Sequence, residues 1–238
     1  GPGDEVIVTP RSFMASASCV VALGATPVFA EIDRETQNLT AATIAERITS
    51  RTKAIIPVHL GGLPCDMDPI MALAGQHGIF VIEDCAQAHG ARYKGRPVGS
   101  IGHIGSWSFC QDKIITTGGE GGMITTSDED LWNRMWSYKD HGKNQAAMKV
   151  HEPQATFRWV HDTFGTNARM LEMQAVIGRL QLKRMPEWSA ARRRNSETIW
   201  RAARGLNGVR VPDVPQWAEH ACYRCYVFVE PQALAAGW

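Results

Sequence analysis

Apolar and polar positions along the chain alternate between two periods. Short runs at the period of a buried strand fall at Glu5 to Val8, Ala25 to Ile32, Lys53 to His59 and Ile79 to Ile82. Between them lie stretches that suit helices. Thr9 to Leu23 carries Ser12, Met14, Ala15, Ala17, Ser18 and Ala22, which suit a helix packed closely on a sheet. Thr40 is placed to cap a helix through Ile48, with Glu46 and Arg47 facing outward, and Asp68 opens another through His77. Gly61, Gly62 and Pro64 break the strand before it. This alternation predicts an α/β fold with a mostly parallel sheet covered on both faces.

Further along, Tyr93-Lys94-Gly95-Arg96-Pro97 is turn chemistry inside a hairpin or loop from Ala91 to Gly102. Ile104, Trp107 and Phe109, interleaved with small and polar residues, read as a half-buried strand. A glycine-rich turn (Gly118, Gly119, Gly121, Gly122) and a short strand, Met123 to Thr126, follow. Asp128 caps a helix through Tyr138 with Trp132, Met135 and Trp136 on one side. Periodicity then fails from Lys139 to Thr166, which predicts a long loop. A helix is expected from Met170 to Leu182, a change at Pro186, and a basic helix from Glu187 to Arg204 that leads to a strand at Tyr226 to Val229.

Composition narrows the function. The chain has 238 residues, 44% hydrophobic and 21% charged, with a net charge of +1. That is ordinary for a globular protein and gives no electrostatic case for nucleic acid or an acidic membrane. The run Arg192-Arg193-Arg194 reads as a solvated helix face. No apolar run approaches the roughly 20 residues that span a bilayer, and no signal peptide is visible at the start. The six cysteines have no small-scaffold spacing and are read as reduced thiols of a cytoplasmic protein. Cys222 and Cys225 have redox or zinc spacing but no second pair, and are read as a chance pair in a strand.

Two clusters carry candidate chemistry. Lys113 stands at the end of the Trp107 strand, before the glycine turn. Most such lysines are solvated. A lysine there, beside backbone that a ligand can approach closely, is also what imine formation with a carbonyl needs. Asp84 ends the apolar run at Ile82, and ligands of open α/β sheets bind beyond the carboxyl ends of strands. Its carboxylate could cap a helix, bind a metal, or hold a cationic ring nitrogen. No Cys/His set with ligand spacing supports a metal. Lys113 supplies the other half of a pyridoxal phosphate (PLP) site, which favours the ring nitrogen. His59 is read as structural, and His89 is left outside the site.

The segments Ile-Glu-Asp-Cys-Ala-Gln-Ala-His-Gly, Ser-Phe-Cys-Gln-Asp-Lys and Gly-Glu-Gly-Gly-Met stand in that order. With Gly24-Ala25-Thr26-Pro27-Val28-Phe29, Asp140-His141-Gly142 and Asn167 to Ala175, they resemble the DegT/StrS-type sugar aminotransferases over nearly the whole chain. The resemblance implies a fold-type I PLP enzyme, with a large domain over 1–185 and a connecting helix and the start of a small C-terminal domain over 186–238. It implies that Lys113 forms the Schiff base with PLP and then moves the proton, and that Asp84 keeps the ring nitrogen protonated. Gln87 would bond the cofactor's phenolic oxygen or pack on its ring, Ser108 would hold the phosphate, and Phe13 would stack on the ring. Asn167 would reach the phosphate of a neighbouring subunit, or cap the helix after it, or both; the first role implies an obligate homodimer with a shared active site. The implied partners are an amino-acid donor, usually glutamate, and a keto or aldehyde sugar, often nucleotide-linked, for amino-sugar and cell-surface polysaccharide synthesis. Relatives with histidine for the lysine are dehydratases, which Lys113 argues against. Family members carry a further segment before the position of Gly1, so the natural N-terminus is expected to lie upstream, and the small domain to continue past Trp238. A non-catalytic relative and an inactive fragment are the alternatives. One departure from the pattern stands out: Cys110-Gln111-Asp112 replaces Tyr-Pro-Thr or similar and puts an acid beside the lysine.

Overall fold

The computed structural model describes residues 1–145, 148 and 161–234. Its centre is a six-stranded sheet in the order β2-β1-β3-β4-β7-β8. The strands are β1 (Glu5–Val8), β2 (Thr26–Phe29), β3 (Thr52–Ile55), β4 (Phe80–Asp84), β7 (Ile104–Ser108) and β8 (Gly122–Thr125). Pairing is parallel from β2 through β7, and β8 returns antiparallel to β7. The mostly parallel sheet predicted from the alternation is therefore present.

Helices α1 (Ala15–Ala22), α2 (Ala41–Ala45) and α3 (Met67–His77) connect the first four of these strands. Thr40 caps α2 as expected, its hydroxyl accepting from the Thr43 N–H. Asp128 caps α4 (Glu129–Lys139) by accepting from the Leu131 N–H at 2.9 Å. The main core joins β1, β3 and β4 to α2 and α3 through Ile7, Ile44, Ile55, Met67, Ile70 and Val81. A second cluster holds Cys85, Ala88, Ala91, Val98, Ile114, Ile115 and Ala221 together. It fastens the segment after β4 to the segment after β7.

The hairpin forms as β5 (Arg92–Tyr93) and β6 (Arg96–Pro97), turning at Lys94-Gly95. A late strand, β10 (Ala218–Glu219), adds to β5 antiparallel. The C-terminal segment thereby folds back onto the body that carries the sheet. The short strands β9 (Val209–Arg210) and β11 (Phe228–Val229) pair with each other.

Three expectations are corrected. The helix expected to stop before Pro186 and the basic helix after it are one helix, α5 (Glu172–Ala203), with Pro186 inside. An interior proline costs about 3 kcal/mol of helix stability. Burial of Ser189, Ser196, Trp200 and Ala203 on the far side of Pro186 offsets it. Asn167 is not the cap of this helix, because the cap position is Leu171. Asn167 instead bridges to Asp140 in an antiparallel backbone pair. Cys222 and Cys225 do not lie in a strand. They stand between β10 and β11, Cys222 with a φ of 53°, and both thiols are free. The middle of the long loop expected from Lys139 to Thr166 lies outside the described residues.

Candidate active site

The strand order places a switch beside β1. The chain steps from β1 out to β2, then returns to the other side of β1 to lay down β3. Crevices form at such reversals, outside the strands' carboxyl ends. The loops that leave those ends carry most of the predicted residues: β1 leads to Phe13, β4 ends at Asp84 and leads to Gln87, and β7 ends at Ser108 and leads to Lys113.

Neighbours on β4 face opposite ways, because strand side chains alternate. Glu83 points back into the protein. It bonds His59 Nε2 at 3.0 Å and accepts three backbone N–H groups, from Gly99, Ile101 and Gly102. His59 Nδ1 accepts from the Cys65 N–H, so Nε2 carries the proton. Burial pushes the Glu83 carboxyl up, but the His59 bond and the backbone donors outweigh it, and the net direction is down. His59, Glu83 and Cys85 hold ligand atoms within 4.8 Å of one another. The four bonds on Glu83 fill its lone pairs, so the group reads as a structural network, with His59 in the role expected of it.

Asp84 faces the other way. Its register partner is Ser106, and Ser108 lies two residues on, so the three share a face. One carboxylate oxygen accepts from Ser16 Oγ at 2.8 Å and the other from the Ala86 N–H at 3.1 Å. Ser16 in turn meets Ser12 Oγ at 2.7 Å. Sequence reasoning placed Ser12 inside a helix and passed over Ser16; in the structure Ser12 lies in the bend before α1 and reaches Ser16 on its first turn, a contact that no periodic pattern signals.

Gln87 is fixed by its carbonyl. Oε1 accepts from the Gly61 N–H at 2.7 Å, which leaves the amide N–H groups to donate elsewhere. Gly61 has a φ of 63°, and a Cβ there would come within 2.6 Å of the Tyr226 ring. The close approach of Tyr226 to this turn therefore requires glycine. Ser108 Oγ accepts from the Cys110 N–H at 3.3 Å and keeps its own proton to give. Phe13 is 73% exposed, its ring open toward solvent in the loop into α1.

Lys113 closes a tight turn, its N–H donating to the Cys110 carbonyl at 3.0 Å. Its side chain is only 12% exposed. Nζ stands 3.5 Å from Asp112 and 5.3 Å from the centre of the Tyr223 ring. His89 is close enough to feel its charge. Burial, with that charge adding, pushes His89 down to about 4, against a weaker pull from the Ser108 backbone. Neither His89 ring nitrogen has a partner of good geometry, and the ring packs between Trp107 and Phe109.

Asp84, Gln87, Ser108 and Lys113 thus lie at or after the carboxyl ends of β4 and β7, and Phe13 after that of β1. Asn167 is exposed and bridges to Asp140, which is ion-paired with Arg169. Asp112 was noted beside the lysine, but its bond from the Tyr223 hydroxyl was not, because contacts between such distant segments leave no local pattern.

A mostly parallel sheet with a carboxylate held at the end of β4 and a largely buried lysine after β7 fits the cofactor domain of the PLP-dependent transferase fold. The chain belongs to the DegT/DnrJ/EryC1/StrS aminotransferase family, whose model matches residues 1–236. It is 58% identical to the aminotransferase from Psychrobacter cryohalolentis, with a TM-score of 0.96, covering 100% of this chain and 62% of that one. It is 48% identical to the GDP-perosamine synthase of Caulobacter vibrioides over 82% of this chain and 49% of that protein. It is 43% identical to the UDP-N-acetyl-3-dehydro-alpha-D-glucosamine 3-aminotransferase of Acidithiobacillus ferrooxidans over 94% of this chain and 57% of that protein. The chain spans about half the length of these curated relatives.

The cofactor of this family is PLP. The residues present suit it. There is an amine for the aldehyde, a carboxylate for the ring nitrogen, a hydroxyl and an amide with protons to give, and an open aromatic face.

Proposed function

We propose that this chain is the cofactor-binding part of a PLP-dependent aminotransferase. It moves an amino group from an amino acid, glutamate in the first instance, to a keto or aldehyde sugar carried on a nucleotide. The product serves amino-sugar and cell-surface polysaccharide synthesis. The observation that carries this reading is the common location of Asp84, Ser108 and Lys113 beyond the carboxyl ends of β4 and β7.

Bound PLP supplies the electron sink that stabilises negative charge on the substrate carbon. The protein holds and orients. Lys113 Nζ would be the attachment point and, when free, would take up and then give back one proton. Asp84 would hold a proton on the ring nitrogen, its orientation fixed by Ser16 and the Ala86 N–H. The Gln87 amide, steadied by Gly61, would donate to the phenolic oxygen, and Ser108 to the phosphate. Phe13 would cover one face of the ring.

Asn167 acts in a second copy's site, which makes the enzyme a homodimer. An exposed apolar stripe on α5 supports this reading: Met173, Val176 and Leu180, with Met173 74% exposed. Residues from 186 on lead into a smaller second domain. The six free thiols fit a reducing, cytoplasmic setting. No helix among the described residues is long and apolar enough to cross a membrane.

The test is spectroscopic. Full-length protein mixed with PLP should gain a visible absorption band, which glutamate should bleach and a keto-sugar nucleotide restore. Lys113→Ala should show no band. A band that glutamate leaves unchanged would make this a non-catalytic relative.

A further inference from the structure

The acid that departs from the family pattern has a partner in the structure. Asp112 lies next to Lys113, and in an extended strand the two side chains would point apart. The turn closed by Lys113 N–H to the Cys110 carbonyl brings them to one side. One carboxylate oxygen of Asp112 stands 3.5 Å from Lys113 Nζ. The other accepts from the Tyr223 hydroxyl at 2.8 Å, across 111 residues of sequence. The Tyr223 ring lies beneath the same ammonium, 5.3 Å from ring centre to Nζ.

Tyr223 is not on a loose tail. Ala221 donates to the Gly62 carbonyl and Arg224 to the Gly61 carbonyl. Ala221 is buried in the cluster that includes Ile114 and Ile115. Asp112 is 53% exposed and its carboxyl is held below the usual range, first by the Tyr223 hydroxyl, then by Lys113, so it is ionised at neutral pH.

We infer that Asp112 is a positioning residue for the reactive amine: with Tyr223 it forms a two-part seat that holds the free Lys113 ammonium and ties the 217–226 segment to the lysine turn. The seat matters when Lys113 is not joined to cofactor. It gives the displaced amine one place to wait. The Asp112 carboxylate attracts the ammonium and the Tyr223 ring face supports it, with Arg224 stacked 4.9 Å from the same ring. The inference rests on the reading of Lys113 as the reactive amine, but its test needs no turnover.

The test labels Lys113 with acetic anhydride in the full-length protein after cofactor removal, following the rate of acetylation by mass spectrometry at one fixed alkaline pH. Asp112→Asn should raise the rate of Lys113 labelling about three-fold or more, because the amine is no longer held by the partly solvated carboxylate. Asp112→Glu should restore the slower rate. Tyr223→Phe keeps the ring but loses the tether, so amide exchange in 217–226 should speed up in this variant and in Asp112→Asn alike. An unchanged labelling rate in Asp112→Asn, or unchanged exchange in both variants, overturns the inference. Loss of the PLP absorption band in the wild type would instead count against the functional reading, and is measured separately.

Discussion

Glu83 and Asp84 are adjacent carboxylates on one strand with opposite fates. Glu83 is fully buried and every oxygen lone pair is taken, by one histidine and three backbone donors. Asp84 is half-buried, with one bond to each oxygen. A saturated carboxylate is architecture, because it has nothing left to offer a ligand. One held in place but not filled is poised for a ligand. The Glu83 side also fixes the loop from Gly99 to Gly102. Gly99, at a φ of 78°, leaves no room for a Cβ against Trp107, so its N–H can reach Glu83 only as glycine.

Glu83→Ala should break the contrast most severely. It strands His59 and three buried N–H groups and should cost about 3–5 kcal/mol, read as a lower denaturation midpoint. Asp84→Asn should do the reverse. Stability should change by less than about 0.5 kcal/mol, while the rate of amino transfer falls on the order of 100-fold.

Acid should separate the two sides as well. His89 and His220 are both pushed down to about 4, burial being the main cause. Unfolded, each takes a proton near pH 6.5. Protons therefore favour the unfolded chain between those values, and stability should fall by about 2 kcal/mol per histidine from pH 6.5 to 5. Glu83 is depressed, so its contribution is present above the ordinary carboxylate range and is lost only as pH falls through its own lower value. Denaturation at several pH values should show the two stages, and His89→Phe should remove about half of the upper one. The smallest effect is Ser16→Ala. It frees one oxygen of Asp84 to swing and should cost about 1 kcal/mol or less in stability, with a few-fold loss of rate.

Much of this was legible in the chain. The strands ending at Asp84 and Ser108, the cap at Thr40 and the hairpin at Lys94-Gly95 follow from local rules. Each depends on residues within a few positions of one another. The helix through Pro186 was misread because a local penalty was outweighed by burial of distant residues such as Trp200. Of the two readings of Asn167, the cap is not realised: the cap position falls at Leu171, and the Asp140 bridge claims the Asn167 backbone from outside the local sequence.

The sequence by itself determined that a carboxylate closes one strand and that a lysine follows another, since strand periodicity and turn residues place them there. Only the tertiary structure decided that these strands are neighbours, that the lysine sits in a turn five residues past β7, and what surrounds both. Tyr223 reaching Asp112, Ser16 reaching Asp84 and Gly61 reaching Gln87 join segments that no periodicity links. Such contacts arise when elements pack, because their geometry depends on where whole helices and strands come to rest.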